Sequence, residues 1–214
     1  MKSRQQFFPL LLLWLGVVVL WGLYRFFFHM AEWVEELVLK PAVFVLPVIS
    51  YLAYKNQLSK DALGMWTNNP KRILMWGIGL GAFLIAETTF VSLLKGKHFI
   101  PSAFLASSML LNLIISAATA FSEEILYRGL LLERIQDIWK KEYTANFFVA
   151  FLFMIGHVGQ AVFVLHYPPY DGFIYLLTIF INGFASGFIY QQTKSVYAST
   201  LSHAIWNFGV GLVG

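Results

Sequence analysis

Cysteine is absent from this 214-residue sequence, and charged residues are scarce at 12% of the chain. The lack of cysteine excludes disulfides, a thiol nucleophile and thiolate metal ligands, so any metal would bind through histidine and carboxylate side chains. A soluble domain usually carries about twice this fraction of charge. With 58% hydrophobic residues, the chain has more apolar surface than one soluble core of this size can bury. These shortages indicate a membrane protein.

The apolar residues occur in runs of about 20, close to the length that a helix needs to cross roughly 30 Å of hydrocarbon. They predict an all-α fold, a polytopic transmembrane helical bundle of about seven spans, with six to eight possible. We place the spans at Phe7–Phe28, Leu37–Tyr54, Ile73–Leu94, Ser102–Tyr127, Ala145–Leu165, Gly172–Gln191 and Val196–Val213. Between the fourth and fifth spans, Arg128–Lys141 interleaves leucine and isoleucine with charges, which predicts a helix at the membrane surface. Residues 1–214 are expected to form a single integral membrane domain.

Lysine and arginine are distributed unevenly across this arrangement. Eleven fall on the side of the N-terminus, namely Lys2, Arg4, Lys55, Lys60, Lys71, Arg72, Arg128, Arg134, Lys140, Lys141 and Lys194. Four fall on the other side, namely Arg25, Lys40, Lys95 and Lys97. The positive-inside rule therefore predicts a cytoplasmic N-terminus, with the plasma membrane as the expected location. No basic cluster typical of nucleic-acid binding occurs, so the expected partners are the lipid bilayer and a membrane-associated substrate.

Two adjacent carboxylates, Glu123 and Glu124, lie at the cytoplasmic end of the predicted fourth span. Each residue of a helix is rotated about 100° from the one before it, so Glu124 shares a face with Arg128 and can pair with it. Glu123 points away from Arg128 and lacks that partner. A free carboxylate inside a membrane suits a general base. The alternative is that both glutamates are solvated at the membrane surface.

Histidines lie within two later spans. His157 shares a helical face with Phe153, and the adjacent Gly156 allows another helix to approach closely. In the last span, His203 and Asn207 are four residues apart on one face, where an imidazole and an amide can act on an oxyanion or a metal. Hydrogen bonding between helices is the alternative role for these side chains.

The three ionisable residues Glu123, His157 and His203 come from different spans, yet the predicted orientation places all of them in the cytoplasmic half of the bilayer. One carboxylate, two histidines and one amide are sufficient to activate a water molecule and stabilise an oxyanion. The pattern therefore predicts a catalytic site. Glu87 in the third span has no patterned neighbour, and we expect it to be structural, with Thr88, Thr89 or a polar group on another helix as a partner.

Three motifs in this order resemble the CAAX-protease and bacteriocin-processing family of intramembrane proteases, which includes the eukaryotic type II CAAX prenyl endopeptidases. They are Glu-Glu-x-x-x-Arg at 123–128, Phe-x-x-x-His at 153–157 and His-x-x-x-Asn at 203–207. Each motif alone is weak, whereas the ordered set on membrane helices is fairly specific. The three-motif catalytic core is expected at about residues 102–213. Residues 58–64 resemble a weaker feature that precedes this core in the family.

The resemblance implies hydrolysis of peptide bonds in membrane-associated peptides or proteins. It assigns water activation to Glu123 with help from His157, oxyanion stabilisation to His203 and Asn207, and supporting roles to Glu124, Arg128 and Phe153. Family members are often called metalloproteases, and a metal-free glutamate mechanism is also described, so the cofactor is open between zinc and none. A metal, if present, would be held by Glu123, His157 and His203.

Two other functions stay open on the sequence. A non-catalytic membrane protein of the same family, acting in bacteriocin self-immunity or binding, would keep the motifs without cleaving a substrate. A small transporter could use Glu123 and the histidines as a proton relay. Against the transporter, the sequence has no two-fold repeat and no paired broken helices.

Overall fold

The computed structural model describes residues 2–65, 69–94 and 109–210, and every long element in these residues is a helix. We label the helices α1 (Lys2–Phe27), α2 (Glu32–Tyr54), α3 (Pro70–Leu94), α4 (Met109–Trp139), α5 (Glu142–Val164), α6 (Pro169–Thr193) and α7 (Val196–Val210). A short 3-10 turn, Asp61–Leu63, lies between α2 and α3. No strand occurs in the described residues, and the predicted all-α helical bundle is confirmed.

Six of these helices, α1 to α6, are long and apolar enough to cross a membrane. The seventh, α7, has 15 described residues, a length of about 22 Å at 1.5 Å per residue. It runs parallel to α3, because Gly77 of α3 faces Leu201 of α7 and Gly81 faces Ile205. The third and seventh spans of a bundle that crosses the membrane with every helix run in the same direction. The direction of α7 is therefore that of the predicted seventh span.

Polar and apolar side chains are distributed as hydrocarbon requires. Glu123, Glu124, Arg128 and His203 are buried inside the bundle. Large apolar side chains cover the outside, among them Leu12, Leu20, Phe83, Phe90, Phe147 and Phe173. Ionisable groups in a membrane turn to the interior of a bundle or to a cavity, because exposure to lipid is unfavourable. Together with the six apolar helices, this arrangement identifies an integral membrane protein.

The fourth helix is longer than its predicted span. The structure describes it from Met109, and the predicted residues 102–108 lie outside the described part of the chain. The helix does not end at Tyr127 but continues to Trp139, with π-helical turns at Ile125–Leu132. The predicted surface helix at Arg128–Lys141 is therefore wrong, since these turns are packed inside the bundle. In the segment that was expected at the surface, the side chains of Leu130, Leu131, Leu132 and Ile135 are fully buried.

The loop between α2 and α3 holds the start of α7. Gly64 adopts a left-handed conformation with φ of +63°, and its carbonyl accepts a hydrogen bond of 2.9 Å from the backbone N–H of Val196. A Cβ atom at Gly64 would lie 2.8 Å from the ring of Tyr190, so glycine is required by both conformation and space. This stretch, which includes the weaker family-like feature at 58–64, thus positions the helix that carries the last motif.

Candidate active site

A cavity of about 430 Å³ lies inside the bundle. Its lining includes all four residues predicted to be catalytic, which are Glu123 of α4, His157 of α5, and His203 and Asn207 of α7. The three motifs therefore meet at one place, although they come from three helices that are distant in the sequence. A joint catalytic site requires these side chains to lie close together, and they do.

The two histidine rings face the same carboxylate oxygen. Nε2 of His157 lies 3.9 Å from Oε2 of Glu123, and Nε2 of His203 lies 3.8 Å from the same atom. This oxygen is buried and has no hydrogen-bond partner within the protein. The distances are longer than a direct hydrogen bond, and a water molecule between the groups would bring each within hydrogen-bonding range.

Contacts at Nδ1 determine what each ring presents to Glu123. Nδ1 of His157 lies 2.9 Å from the carbonyl oxygen of Phe153, and Nδ1 of His203 lies 2.9 Å from Oε1 of Glu124. Both partners only accept hydrogen bonds, so Nδ1 carries the hydrogen and Nε2 of a neutral ring presents a lone pair. Oε2 of Glu123 and the two Nε2 atoms are therefore three hydrogen-bond acceptors around one point. A hydrogen-bond donor such as water fits that point.

The second glutamate anchors the site instead of lining it. Glu124 is fully buried and pairs through Oε1 with Arg128 at 2.7 Å, which confirms the predicted pair. The same oxygen contacts His203, so the pair also orients an active-site ring. Arg128 donates a second bond of 2.6 Å to the carbonyl oxygen of Gly183 on α6. The network ties α4, α6 and α7 together directly beneath the cavity.

Phe153 forms a wall between the two histidines and this network. Its ring centroid lies 4.6 Å from that of His157 and 5.7 Å from that of His203. The guanidinium of Arg128 lies 4.9 Å from the same ring centroid. The aromatic ring therefore packs against both imidazoles, and the supporting role expected of Phe153 stays a prediction.

Lys40 of α2 belongs to the site, and the sequence reasoning missed it. Its ammonium lies 2.7 Å from Oε1 of Glu123 and 3.0 Å from Oε2 of Glu36, and the side chain lines the cavity. The hydroxyl of Thr119 donates a hydrogen bond of 2.6 Å to the same oxygen of Glu36. The prediction that Glu123 is a free carboxylate is therefore wrong. A signal was available, because Lys40 lies inside a predicted apolar span, where an ionisable residue is functional by default.

Glu87 is held by side-chain hydrogen bonds outside the motif cluster, as predicted. The hydroxyl of Thr88 donates to its carboxylate at 3.2 Å, and the indole N–H of Trp206 donates to that hydroxyl at 2.9 Å. This chain joins α3 to α7 next to the cavity. Its role in the described structure is to connect two helices.

The cavity extends from Glu123 towards one end of the bundle. Glu123 lies near the middle of the 31-residue α4. From there the cavity extends to the helix ends opposite the N-terminus, where Arg25 of α1, Glu32 of α2 and Gln160 of α5 line it. The expected position of the site, in the half of the bilayer nearest the N-terminus, stays a prediction.

The zinc site considered for Glu123, His157 and His203 does not fit this arrangement. Tetrahedral zinc with bonds of about 2.0–2.2 Å would hold its ligand atoms about 3.4 Å apart, whereas the two nitrogen atoms lie 3.9 and 3.8 Å from the carboxylate oxygen. In the part of the chain that the structure describes, no group of three or more His, Asp or Glu side chains is arranged to hold a metal ion.

Comparisons with known proteins bear on this motif cluster. The family model described as type II CAAX prenyl endopeptidase Rce1-like matches residues 103–209, half of the chain, and this range contains all three motifs. Neither a search of curated proteins nor a search of solved structures returned a significant match. On the family match, the chain belongs to the Rce1-like family of type II CAAX prenyl endopeptidases.

Proposed function

We propose that the chain is an intramembrane endopeptidase that cleaves membrane-associated peptides or proteins with a water molecule activated by Glu123. The observation that carries the proposal is the convergence of Oε2 of Glu123 and Nε2 of His157 and His203 on one point inside a cavity. A water molecule there has its hydrogens directed at acceptors and its oxygen available to a carbonyl carbon. This is the geometry that general-base hydrolysis requires.

The reaction has two steps. Glu123 accepts a proton from the water while the water oxygen attacks the carbonyl carbon of the peptide, with His157 orienting the water. The resulting oxyanion accepts a hydrogen bond from the Asn207 amide, while Nε2 of His203 accepts a hydrogen bond from the hydroxyl that the water has become and its Nδ1–H donates to the Glu124 carboxylate. The C–N bond then breaks, and the proton held by Glu123 passes to the leaving nitrogen. The products are a carboxylic acid, which keeps the second hydrogen of the water until it ionises in solvent, and an amine.

The proposal includes the orientation of the site. We infer that the N-terminus is cytoplasmic, in the plasma membrane, because exposed lysine and arginine side chains collect at that end of the bundle. The cavity extends to the opposite end, so substrates would reach it from the extracytoplasmic side. The substrate class that fits is a peptide anchored in the membrane and exposed on that side.

The test measures cleavage by the purified protein in detergent micelles, where both faces are accessible. The probes are a quenched fluorogenic peptide ending in a farnesylated C-a-a-X sequence and the same peptide without the farnesyl group. We expect Glu123→Gln and His157→Ala to lower kcat by about 10²–10⁴-fold, the usual contribution of a general base. Asn207→Ala should lower it by about 10²–10³-fold, the usual contribution of one oxyanion donor.

Glu87→Gln is the matched control, because it also removes a carboxylate from the bundle but acts outside the motif cluster, and it should cleave like the wild type. Full activity in both Glu123→Gln and His157→Ala would refute the proposal, and so would cleavage of neither probe by the wild type. A bacteriocin-protection phenotype that survives Glu123→Gln would instead favour the non-catalytic immunity role.

A further inference from the structure

Lys40 occupies a position that the three motifs do not explain. Its side chain is only 7% exposed, and its ammonium lies between Glu36 on its own helix and Glu123 on α4. The rings of Trp21 and Phe44 lie 5.7 and 5.8 Å from it. Burying a lysine in this way is unfavourable unless the charge is compensated and used.

The ion pairs around the cavity have separate partners. Arg128 pairs with Glu124, and Arg25 pairs with Glu35. In the described residues, Lys40 is the lysine or arginine that lies within ion-pairing distance of Glu123. An isolated carboxylate in hydrocarbon is strongly disfavoured. The ammonium is therefore the group that compensates the carboxylate of Glu123.

The geometry of this pair divides the carboxylate into two oxygens with different roles. Lys40 holds Oε1 at 2.7 Å, while Oε2 is left without a protein partner and faces both histidines. A carboxylate held at one oxygen cannot rotate freely, so its other oxygen stays directed at the point between the two rings. Such fixation by a supporting side chain is what a precise active site needs.

We propose that Lys40 is a positioning residue, which compensates the charge of Glu123 through Oε1 and thereby directs Oε2 at the water site. The proposal rests on the proposed peptidase function, since Glu123 is the base that it positions. The competing role is a structural one, in which Lys40 serves only the pair with Glu36, four residues away on the same helix. The two roles predict different effects of removing Glu36.

The kinetic test uses the farnesylated fluorogenic peptide in detergent micelles. Lys40→Met should lower kcat about 100-fold, a loss expected when a general base is misplaced, with KM close to the wild-type value. Lys40→Arg should recover most of kcat because it restores a cation, and Lys40→Gln serves as a second neutral variant if Lys40→Met inserts poorly. Glu36→Gln should retain wild-type kcat, because Lys40 still holds Glu123.

Equal losses in Glu36→Gln and Lys40→Met would overturn the proposal, and so would wild-type kcat in Lys40→Met. Infrared spectroscopy provides a readout that needs no substrate. The carboxylate band assigned to Glu123 by its loss in Glu123→Gln should change in Lys40→Met and persist in Glu36→Gln. An unchanged band in Lys40→Met refutes the positioning role even if the wild type is active. If the wild type cleaves neither peptide, the peptidase function fails, while a changed band still supports the contact.

Discussion

At the scale of single residues, two neighbouring glutamates have different surroundings because they lie on different faces of one helix. Glu124 points towards Arg128 and His203, whereas Glu123 points towards Lys40 and the cavity. The rotation of about 100° per residue is sufficient to separate a structural carboxylate from one that lines the site. Charge type alone would not have distinguished them.

Breaking the Glu124–Arg128 ion pair should lower the free energy of unfolding. Arg128→Met leaves the Glu124 carboxylate buried without its cation, and removing one partner of a buried ion pair typically costs about 3–5 kcal/mol. Equilibrium unfolding in detergent, followed by tryptophan fluorescence, measures the loss. Lys140→Met is the control, because its pair with Asp137 is 3.8 Å long and exposed to solvent, and exposed pairs contribute about 0–1 kcal/mol. Similar losses in the two variants would contradict a specific role for the Glu124–Arg128 pair.

The motif residues could be predicted from the sequence because each pair lies within one helical turn. The Glu124–Arg128 and Phe153–His157 contacts are local, and helical periodicity places them on shared faces. Lys40 was assigned to the outer side by charge counting, and its contact with Glu123 joins two helices far apart in the sequence. Periodicity within one helix carries no information about such a contact, so tertiary packing had to supply it.

At the scale of helices, glycine sets the distance between α5 and its neighbours. A Cβ atom at Gly156 would lie 2.5 Å from the Tyr127 hydroxyl of α4 and 3.5 Å from Val18 of α1. That hydroxyl also accepts a hydrogen bond from the indole N–H of Trp14 at 3.3 Å. The close approach therefore joins three helices immediately before His157, where the α-helical part of α5 ends.

Gly156→Ala should therefore push Tyr127 out of place. We expect a loss of stability of about 1–3 kcal/mol, as is usual when a methyl group overpacks a core, together with reduced cleavage because His157 follows directly. Gly159→Ala is the matched control on the same helix, since the nearest atoms lie 3.8 Å from its Cβ position. Unfolding and cleavage are measured for both variants. A stable, active Gly156→Ala protein would show that Tyr127 moves aside without cost.

Helix positions followed from the lengths of apolar runs, and the main error came from the end of α4. Leucine and isoleucine interleaved with charges are typical of a surface helix, but here the leucines are buried and Arg128 is 0% exposed. The helix continues inside the bundle because Arg128 is paired with Glu124. Gly129 also lets the loop carbonyl of Leu63 approach, since that oxygen would lie 2.9 Å from a Cβ atom at Gly129. The sequence pattern is the same in both cases, so only the packing partners distinguish them.

At the scale of the whole molecule, positive charge and the cavity lie at opposite ends of the bundle. Exposed cations at the end nearest the N-terminus are Lys55, Lys60, Lys71, Arg72, Lys140, Lys141 and Lys194. At the other end, within the described residues, Arg25 is paired with Glu35 and Lys40 with Glu123. The positive-inside rule counts lysine and arginine near the ends of spans, whether or not they are paired. Under the orientation proposed from that rule, the cavity opens to the extracytoplasmic side.

The absence of cysteine makes this orientation directly measurable, because a single introduced thiol is the only site that a maleimide can label. Gln57→Cys places the thiol in the exposed loop after α2, and Tyr170→Cys places it at the opposite end, where the native side chain is 71% exposed. In intact bacterial cells, a membrane-impermeant maleimide should label Tyr170→Cys, whereas Gln57→Cys should react only after permeabilisation. Labelling of Gln57→Cys alone in intact cells would show the opposite topology, with an extracytoplasmic N-terminus. The cavity would then receive its substrates from the cytoplasm, and the charge distribution would have failed to predict the topology.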